Sequence, residues 1–266
     1  MKKVMLFALA ILLNVAGAKA QKVEEYGIFD HLGVGVSVGT TGIGFDLAAP
    51  VTDYLQLRAG YSFMPKLSYT TDLDIVSADG MNVPPSVRDE IERLGEVEVE
   101  GKLNMNNFKF LVDIYPFNAS KSSFHVTAGA FIGSDKLVSV YNTKPFTVPE
   151  HLKEYGVGFD LGDYGIGFDK NGFAHADLKV NGFKPYLGIG YGRAVPKKRV
   201  GVQFDMGVQF WGKPGVYRTV DSNGKTSYEK LSKGDFDNED ADEIFDIMEK
   251  ITVYPVIKLR ICGRIF

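Results

Sequence analysis

Apolar and polar residues alternate strictly along residues 183–211. From Val200 to Phe210 every even position is apolar and every odd position is glycine or a polar residue. Successive side chains of a β-strand point to opposite faces, so this strand has one fully apolar face. Residues 187–192 alternate in the same way, and Ala-Val-Pro-Lys-Lys at 194–198 forms a short turn between the two strands. An apolar face about 10 residues long is typical of a tilted membrane-crossing strand.

Eight segments of the chain show this period of two. We predict strands at residues 31–39, 41–48, 54–63, 103–117, 122–133, 183–193, 199–211 and 252–265. Short connections (49–53, 118–121, 194–198) alternate with long ones (64–102, 134–182, 212–251), and only the outer connection at 39–42 is an exception. Bacterial outer-membrane barrels have short periplasmic turns and long outer loops. The sequence therefore predicts an all-β fold, an antiparallel up-and-down transmembrane β-barrel of eight strands.

The long connections carry structure of their own. Asn171-Gly172 and Asn223-Gly224 are hairpin signals, which predict that sheet continues above the membrane. The near copies YGVGFD (155–160) and YGIGFD (164–169) would raise the count to ten strands if they crossed the membrane, but their close spacing favours eight.

Two loop segments have the apolar spacing of short helices. One contains Val83, Val87, Ile91 and Leu94, with Ser86 as the expected N-cap, and the other covers residues 244–251. Each has a narrow apolar stripe. This favours the interpretation as a helix folded over the barrel mouth, and a helix that binds a partner is the alternative.

The first 20 residues have the pattern of a secretory signal. Lys2 and Lys3 precede a short apolar run and Ala18-Lys19-Ala20 suits signal cleavage, so we expect a mature chain from Gln21 onward, folded as one barrel domain. Without the three leader lysines, 27 basic residues face 33 acidic ones, a net charge of about −6. This balance gives no general case for nucleic-acid binding. The single cysteine, Cys262, excludes an internal disulfide.

Strand parity predicts a charged barrel interior. The charged residues expected to point inward are Asp46, Arg58, Lys109, Asp113, Asp205, Lys258, Arg260 and Arg264. Isolated charges in a narrow lumen are costly, so we expect Asp113 or Asp205 to pair with Arg58, Lys109, Lys258 or Arg260. A lipocalin-like carrier would have the reverse arrangement, with its apolar face inside.

The sequence offers little for catalysis or metal binding. His125 and Thr127 lie where some outer-membrane lipid A deacylases have a His-x-Ser pair, but threonine replaces the serine and the pair falls near the periplasmic end. A lumen histidine is therefore favoured. The acidic run at 235–243 lacks the mid-loop glycine of a calcium loop and is better interpreted as a solvated helix start. We predict no enzyme activity, cofactor or metal.

The mature chain resembles small outer-membrane β-barrel proteins of the Bacteroidetes type, with the architecture of OmpA-like eight-stranded barrels. The resemblance lies in VGTTGIGFDLAAPVTDYLQLRAGYSF at 38–63, VNGFKPYLGIGYGRAVPKKR at 180–199 and the terminal Phe266. It implies an outer-membrane location and recognition of the last strand by the barrel-insertion machinery through Phe266. Phe266 does not share a face with the apolar residues of its strand, which departs from the usual insertion signal.

These observations predict a structural or surface-interaction protein. Its partners would be outer-membrane lipid and lipopolysaccharide, together with surface partners that bind the loops at 64–102, 134–182 and 212–251. An eight-stranded interior is normally filled by its own side chains, which disfavours a wide channel. The alternatives are a narrow pore or small-solute permease and, third, an outer-leaflet lipid-modifying enzyme.

Overall fold

The computed structural model describes residues 29–77, 83–119, 121–161, 165–222, 225–231 and 250–265. In these ranges the strands are β1 (Gly33–Gly39), β2 (Gly42–Thr52), β3 (Leu55–Phe63), β4 (Leu67–Ser77), β5 (Glu96–Leu103), β6 (Asn106–Ile114), β7 (Phe124–Gly133), β8 (Lys136–Asn142), β9 (Val157–Asp160), β10 (Gly165–Gly167), β11 (His175–Lys179), β12 (Phe183–Tyr191), β13 (Val200–Phe210), β14 (Gly215–Ser222), β15 (Lys225–Lys230) and β16 (Val253–Arg264). Helix α1 (Pro85–Glu92) follows β4, and a 3₁₀ helix (Glu150–Tyr155) precedes β9. None of the helices in the described ranges is long and apolar enough to cross a membrane.

Eight strands close into an antiparallel barrel in the order β1-β2-β3-β6-β7-β12-β13-β16. Closure is made by β1 and β16, which pair from Gly33 opposite Arg264 to Gly39 opposite Lys258. Each of the eight predicted strands corresponds to one of these, so the predicted fold class is confirmed. The predicted fourth strand (103–117) was too long, because the chain leaves the ladder at residues 104–105, between β5 and β6.

The outer surface of the barrel is an apolar belt. Its exposed side chains include Val36, Phe45, Leu47, Phe108, Phe110, Leu187, Ile189, Val202, Ile257 and Leu259, each about half exposed. An apolar surface of this extent is unfavourable in water and matches the lipid-facing band of a transmembrane barrel. The charged side chains point inward, which is the reverse of a lipocalin-like carrier.

The other eight strands form a second sheet, here called the outer sheet, in the order β10-β9-β4-β5-β8-β11-β14-β15. Its strands β4, β5, β8, β11 and β14 follow the same order as the barrel strands β3, β6, β7, β12 and β13 to which the chain connects them. Backbone hydrogen bonds bridge the breaks, for example Met64 N to Met105 O (3.1 Å) and Asn181 N to Trp211 O (2.9 Å). The outer sheet is therefore a continuation of the barrel wall.

The outer sheet has a hydrophobic core of its own. Ile75, Val99, Phe159 and Ile166 lie in this core, and α1 covers it with Ile91. Leu103, on the same face of β5 as Val99, packs against the buried cluster of Met105, Val180 and Trp211 at the barrel mouth. The core face of the outer sheet therefore lies on the lumen side, and its opposite face continues the lipid-facing wall.

The loop predictions had mixed outcomes. The near copies form β9 and β10, which pair with each other in the outer sheet and not in the barrel, so eight membrane strands are confirmed over ten. The hairpin predicted at Asn223-Gly224 is confirmed, because Ser222 lies opposite Lys225. The hairpin predicted at Asn171-Gly172 is wrong, since β10 and β11 on either side of it pair with other strands.

Helix α1 exists, but its predicted N-cap is wrong. Pro84 occupies the N-cap position and Pro85 begins the helix, with no side-chain capping hydrogen bond. Proline suits a first helical position because the N–H that it lacks has no partner there in any case. Residues 1–28, 232–249 and 266, which include the leader, the acidic run, most of the second predicted helix and Phe266, lie outside the described residues.

Candidate functional site

The short turn between β12 and β13, at the end of the barrel opposite the outer sheet, folds into the lumen. Ala194 and Val195 are fully buried there, with Ala48 and Tyr115 around them. The Ala194 backbone N–H donates to Tyr115 Oη (3.2 Å) and that of Val195 to Gln56 Oε1 (3.0 Å). The predicted turn therefore fills this end of the barrel with its own backbone.

Above the turn, Arg58 joins two carboxylates from across the lumen. Its guanidinium donates to Asp113 Oδ1 (2.7 Å) and to Asp205 Oδ2 (2.8 Å). All three side chains are buried. Two carboxylates around one planar guanidinium give charge-assisted hydrogen bonds, which are among the stronger polar contacts in proteins.

A second group forms around Asp46. Lys109 Nζ donates to Asp46 Oδ2 (2.7 Å) and Arg260 Nε to Asp46 Oδ1 (2.8 Å). Gly35 makes room for the arginine, because a Cβ at that position would lie 2.2 Å from Arg260 Nε. The strand glycines are therefore part of how the narrow lumen accommodates large cations.

The next layer toward the outer sheet is mostly apolar. Leu111, Phe131, Tyr186 and Val256 pack together across the barrel. Lys258 Nζ lies 4.2 Å from the centroid of the Phe131 ring, a cation–π contact. Seven of the eight predicted lumen charges are buried inside the barrel, whereas Arg264, at the end of β16, is only half-buried. Lys258 contacts aromatic rings where a carboxylate partner was expected.

His125 lies in the same interior. Its Nε2 is 2.9 Å from Asp205 Oδ1, whereas Thr127 Oγ1 donates to Asp113 Oδ1 (2.7 Å). Both side chains are fully buried. This geometry orients His125 and Thr127 toward the lumen carboxylates and away from the lipid-facing surface of the barrel.

The outward face of the outer sheet carries a second polar group, which we call the outward cluster: Lys136, Ser139, His175, Asp177, Lys179, Tyr217 and Tyr228. The Asp177 carboxylate is its buried centre and contacts Lys136 Nζ (2.6 Å), Ser139 Oγ (2.6 Å) and His175 Nε2 (2.9 Å). Lys179 Nζ lies over the rings of Tyr217 (4.6 Å) and Tyr228 (4.9 Å).

The charges of the outward cluster support one another. Burial alone would raise the pKa of Asp177, but hydrogen bonds from Lys136 and Ser139 more than offset this and lower it. The hydrogen bond to Asp177 in turn raises the pKa of Lys136. Asp177 is therefore ionised and Lys136 protonated near neutral pH. This cluster was not predicted from the sequence, although the alternation of His175, Asp177 and Lys179 was a usable signal.

Comparison with known proteins gives architectural likeness alone. No family model matches the sequence, and no curated protein matches it. Among solved structures, two Acinetobacter baumannii proteins align with the chain. CarO2 is 20% identical with a TM-score of 0.45 and covers 88% of this chain and 98% of its own. CarO is 20% identical with a TM-score of 0.46 and covers 87% and 96%.

A major outer membrane protein from Thermus thermophilus is 16% identical with a TM-score of 0.35 and covers 88% of this chain and 98% of its own. The fold assignment rests instead on the closed strand order and the apolar belt. The Bacteroidetes type stays a prediction.

Proposed function

We propose that this chain is a non-enzymatic protein of the bacterial outer membrane, in which a filled barrel anchors the outer sheet as a surface for interaction. The observation that carries the proposal is that successive layers of side chains fill the lumen of the barrel. The Ala194–Val195 turn, the ionic groups around Arg58 and Asp46, and the apolar layer at Phe131 follow one another from the periplasmic end upward. A barrel filled in this way leaves no room for a wide channel, which supports an anchoring function.

The proposal includes two kinds of partner that the sequence predicts. The barrel-insertion machinery would recognise the last strand through Phe266. Surface partners and outer-leaflet lipid would contact the connections at 64–102, 134–182 and 212–251, which include the strands of the outer sheet.

The orientation of the chain can be tested by thiol labelling of intact cells. Lys144 lies beyond β8 with an 80% exposed side chain, so Lys144→Cys should react with a membrane-impermeant maleimide. Lys198→Cys, on the exposed part of the periplasmic turn, is the matched control and should react only after permeabilisation. The native Cys262 is buried and should contribute little background. The reverse labelling order would contradict a surface role for the outer sheet.

Conductance distinguishes the anchor from the narrow pore. The refolded protein should give no steady single-channel current in a planar bilayer, because the apolar layer interrupts the column of polar side chains. A heat-dependent gel mobility shift would establish that the barrel had formed, and a general diffusion porin serves as positive control. Steady current that changes in Lys258→Gln, the cation within the apolar layer, would favour the pore instead.

A further inference from the structure

The outward cluster lies close to the lipid surface. Lys136 follows the exposed, lipid-facing Ile132 by four residues, and Lys179 precedes the exposed Phe183 by four residues. At about 3.3 Å per residue on strands tilted by about 40°, four residues rise about 10 Å above the apolar belt. Lysine side chains extend along apolar surface toward polar groups, so both ammonium groups reach the depth of lipid headgroups.

The cluster has the chemistry of a site for an anion. Lys136 neutralises the buried Asp177, but Lys179 contacts the two tyrosine rings and no carboxylate in the described part of the chain. Lys230 lies on the same face, where its stem packs over Gly215. A further carboxylate, Asp135, directly precedes β8 on its membrane side and acts electrostatically on Lys136.

The tyrosines suit the same location. Tyr228 is 53% exposed and lies between Lys136 Nζ (5.3 Å) and Lys179 Nζ (4.9 Å). Tyrosine is enriched where membrane proteins meet the headgroup region, because its ring is apolar and its hydroxyl is polar. Lysine ammonium groups bind phosphate as point charges.

We propose that Lys179, together with Lys136 and Tyr228, binds the phosphate of an outer-leaflet lipid headgroup. This inference rests on the proposed outer-membrane location and gives it a specific contact. Bound lipid would cover the one face of the outer sheet that continues the lipid-facing wall, next to the apolar belt. The occupant is lipid and not a soluble anion, because the cluster lies beside the bilayer instead of at the top of the sheet.

Native mass spectrometry of the refolded protein in detergent tests this site. The probes are lipid A, its dephosphorylated form and inorganic phosphate. Lipid A should bind at least tenfold more tightly than the dephosphorylated form. Lys179→Gln should weaken lipid A binding about fivefold, since a cation near an anionic membrane surface contributes about that factor. The double variant Lys136→Gln/Lys179→Gln should lose more.

The matched control is Lys144→Gln/Lys170→Gln, which removes two exposed lysines away from the membrane and should leave binding unchanged. Lys136→Gln also removes a partner of Asp177, so each variant is first checked for the heat-dependent gel shift. If the double variant does not fold, the single variant Lys179→Gln serves as the test. Equal binding of phosphorylated and dephosphorylated lipid, or inorganic phosphate that competes as well as lipid A, would overturn the inference. Failure of the wild-type chain to fold in detergent would instead count against the proposed membrane anchor.

Discussion

Replacing Arg58 with methionine should lower the free energy of unfolding by about 3–5 kcal/mol, because removal of one partner leaves buried charges uncompensated. Asp113 and Asp205 would keep Thr127 and His125 as hydrogen-bond partners but would lose the cation between them. Urea unfolding in lipid vesicles measures the effect. Trp211, the single tryptophan, is buried against Tyr254 at the barrel mouth and reports unfolding by its fluorescence.

Arg199→Met is the matched control, since this arginine is exposed directly before the first residue of β13. It should change the free energy of unfolding by no more than about 0.5 kcal/mol. Adding Asp113→Asn and Asp205→Asn to Arg58→Met should recover part of the loss, because the uncompensated charges are then gone. A loss below about 1 kcal/mol for Arg58→Met alone would show that the lumen is hydrated enough to screen these charges.

The second large effect is expected at Asp46. Asp46→Asn keeps the shape of the side chain but leaves both Lys109 and Arg260 without their carboxylate. This variant therefore has two uncompensated buried cations, whereas Arg58→Met has two uncompensated buried anions. We again expect a loss of about 3–5 kcal/mol in the same urea experiment. Asp72→Asn, at an exposed position of β4, serves as control and should be nearly neutral. An unchanged midpoint for Asp46→Asn would mean that this ionic group does not stabilise the barrel.

The sequence predicted which residues enter the lumen, but not all of their partners. A period of two determines the face of each strand, so Asp46, Arg58 and Lys258 could be placed inside from parity alone. Which carboxylate meets which cation depends on the stagger between strands, which parity does not encode. Asp46 on β2 binds Lys109 on β6 and Arg260 on β16, strands that are not its hydrogen-bonded neighbours in the wall.

Most of the outer sheet was missed for a related reason. Residues 96–100 (Glu-Val-Glu-Val-Glu) alternate as clearly as any membrane strand. They lie in the connection at 64–102, which was predicted to be an outer loop because long and short connections alternate along the chain. Their neighbours are distant in sequence, since β4 pairs with both β5 and β9 and β5 pairs with β8. The wrong hairpin at Asn171-Gly172 has a local cause. The Asp169 side chain accepts from the backbone N–H groups of Asn171 and Phe173 and closes the turn without pairing strands.

The continuity of the wall has a mechanical consequence. Five strands run from the bilayer into the outer sheet across bridging hydrogen bonds, so we expect the sheet to keep a fixed tilt and height above the lipid. A pull on its top would load those strands along their length. The backbone hydrogen bonds between neighbouring strands would then resist in shear, many at once, and the force would pass into the closed ring below.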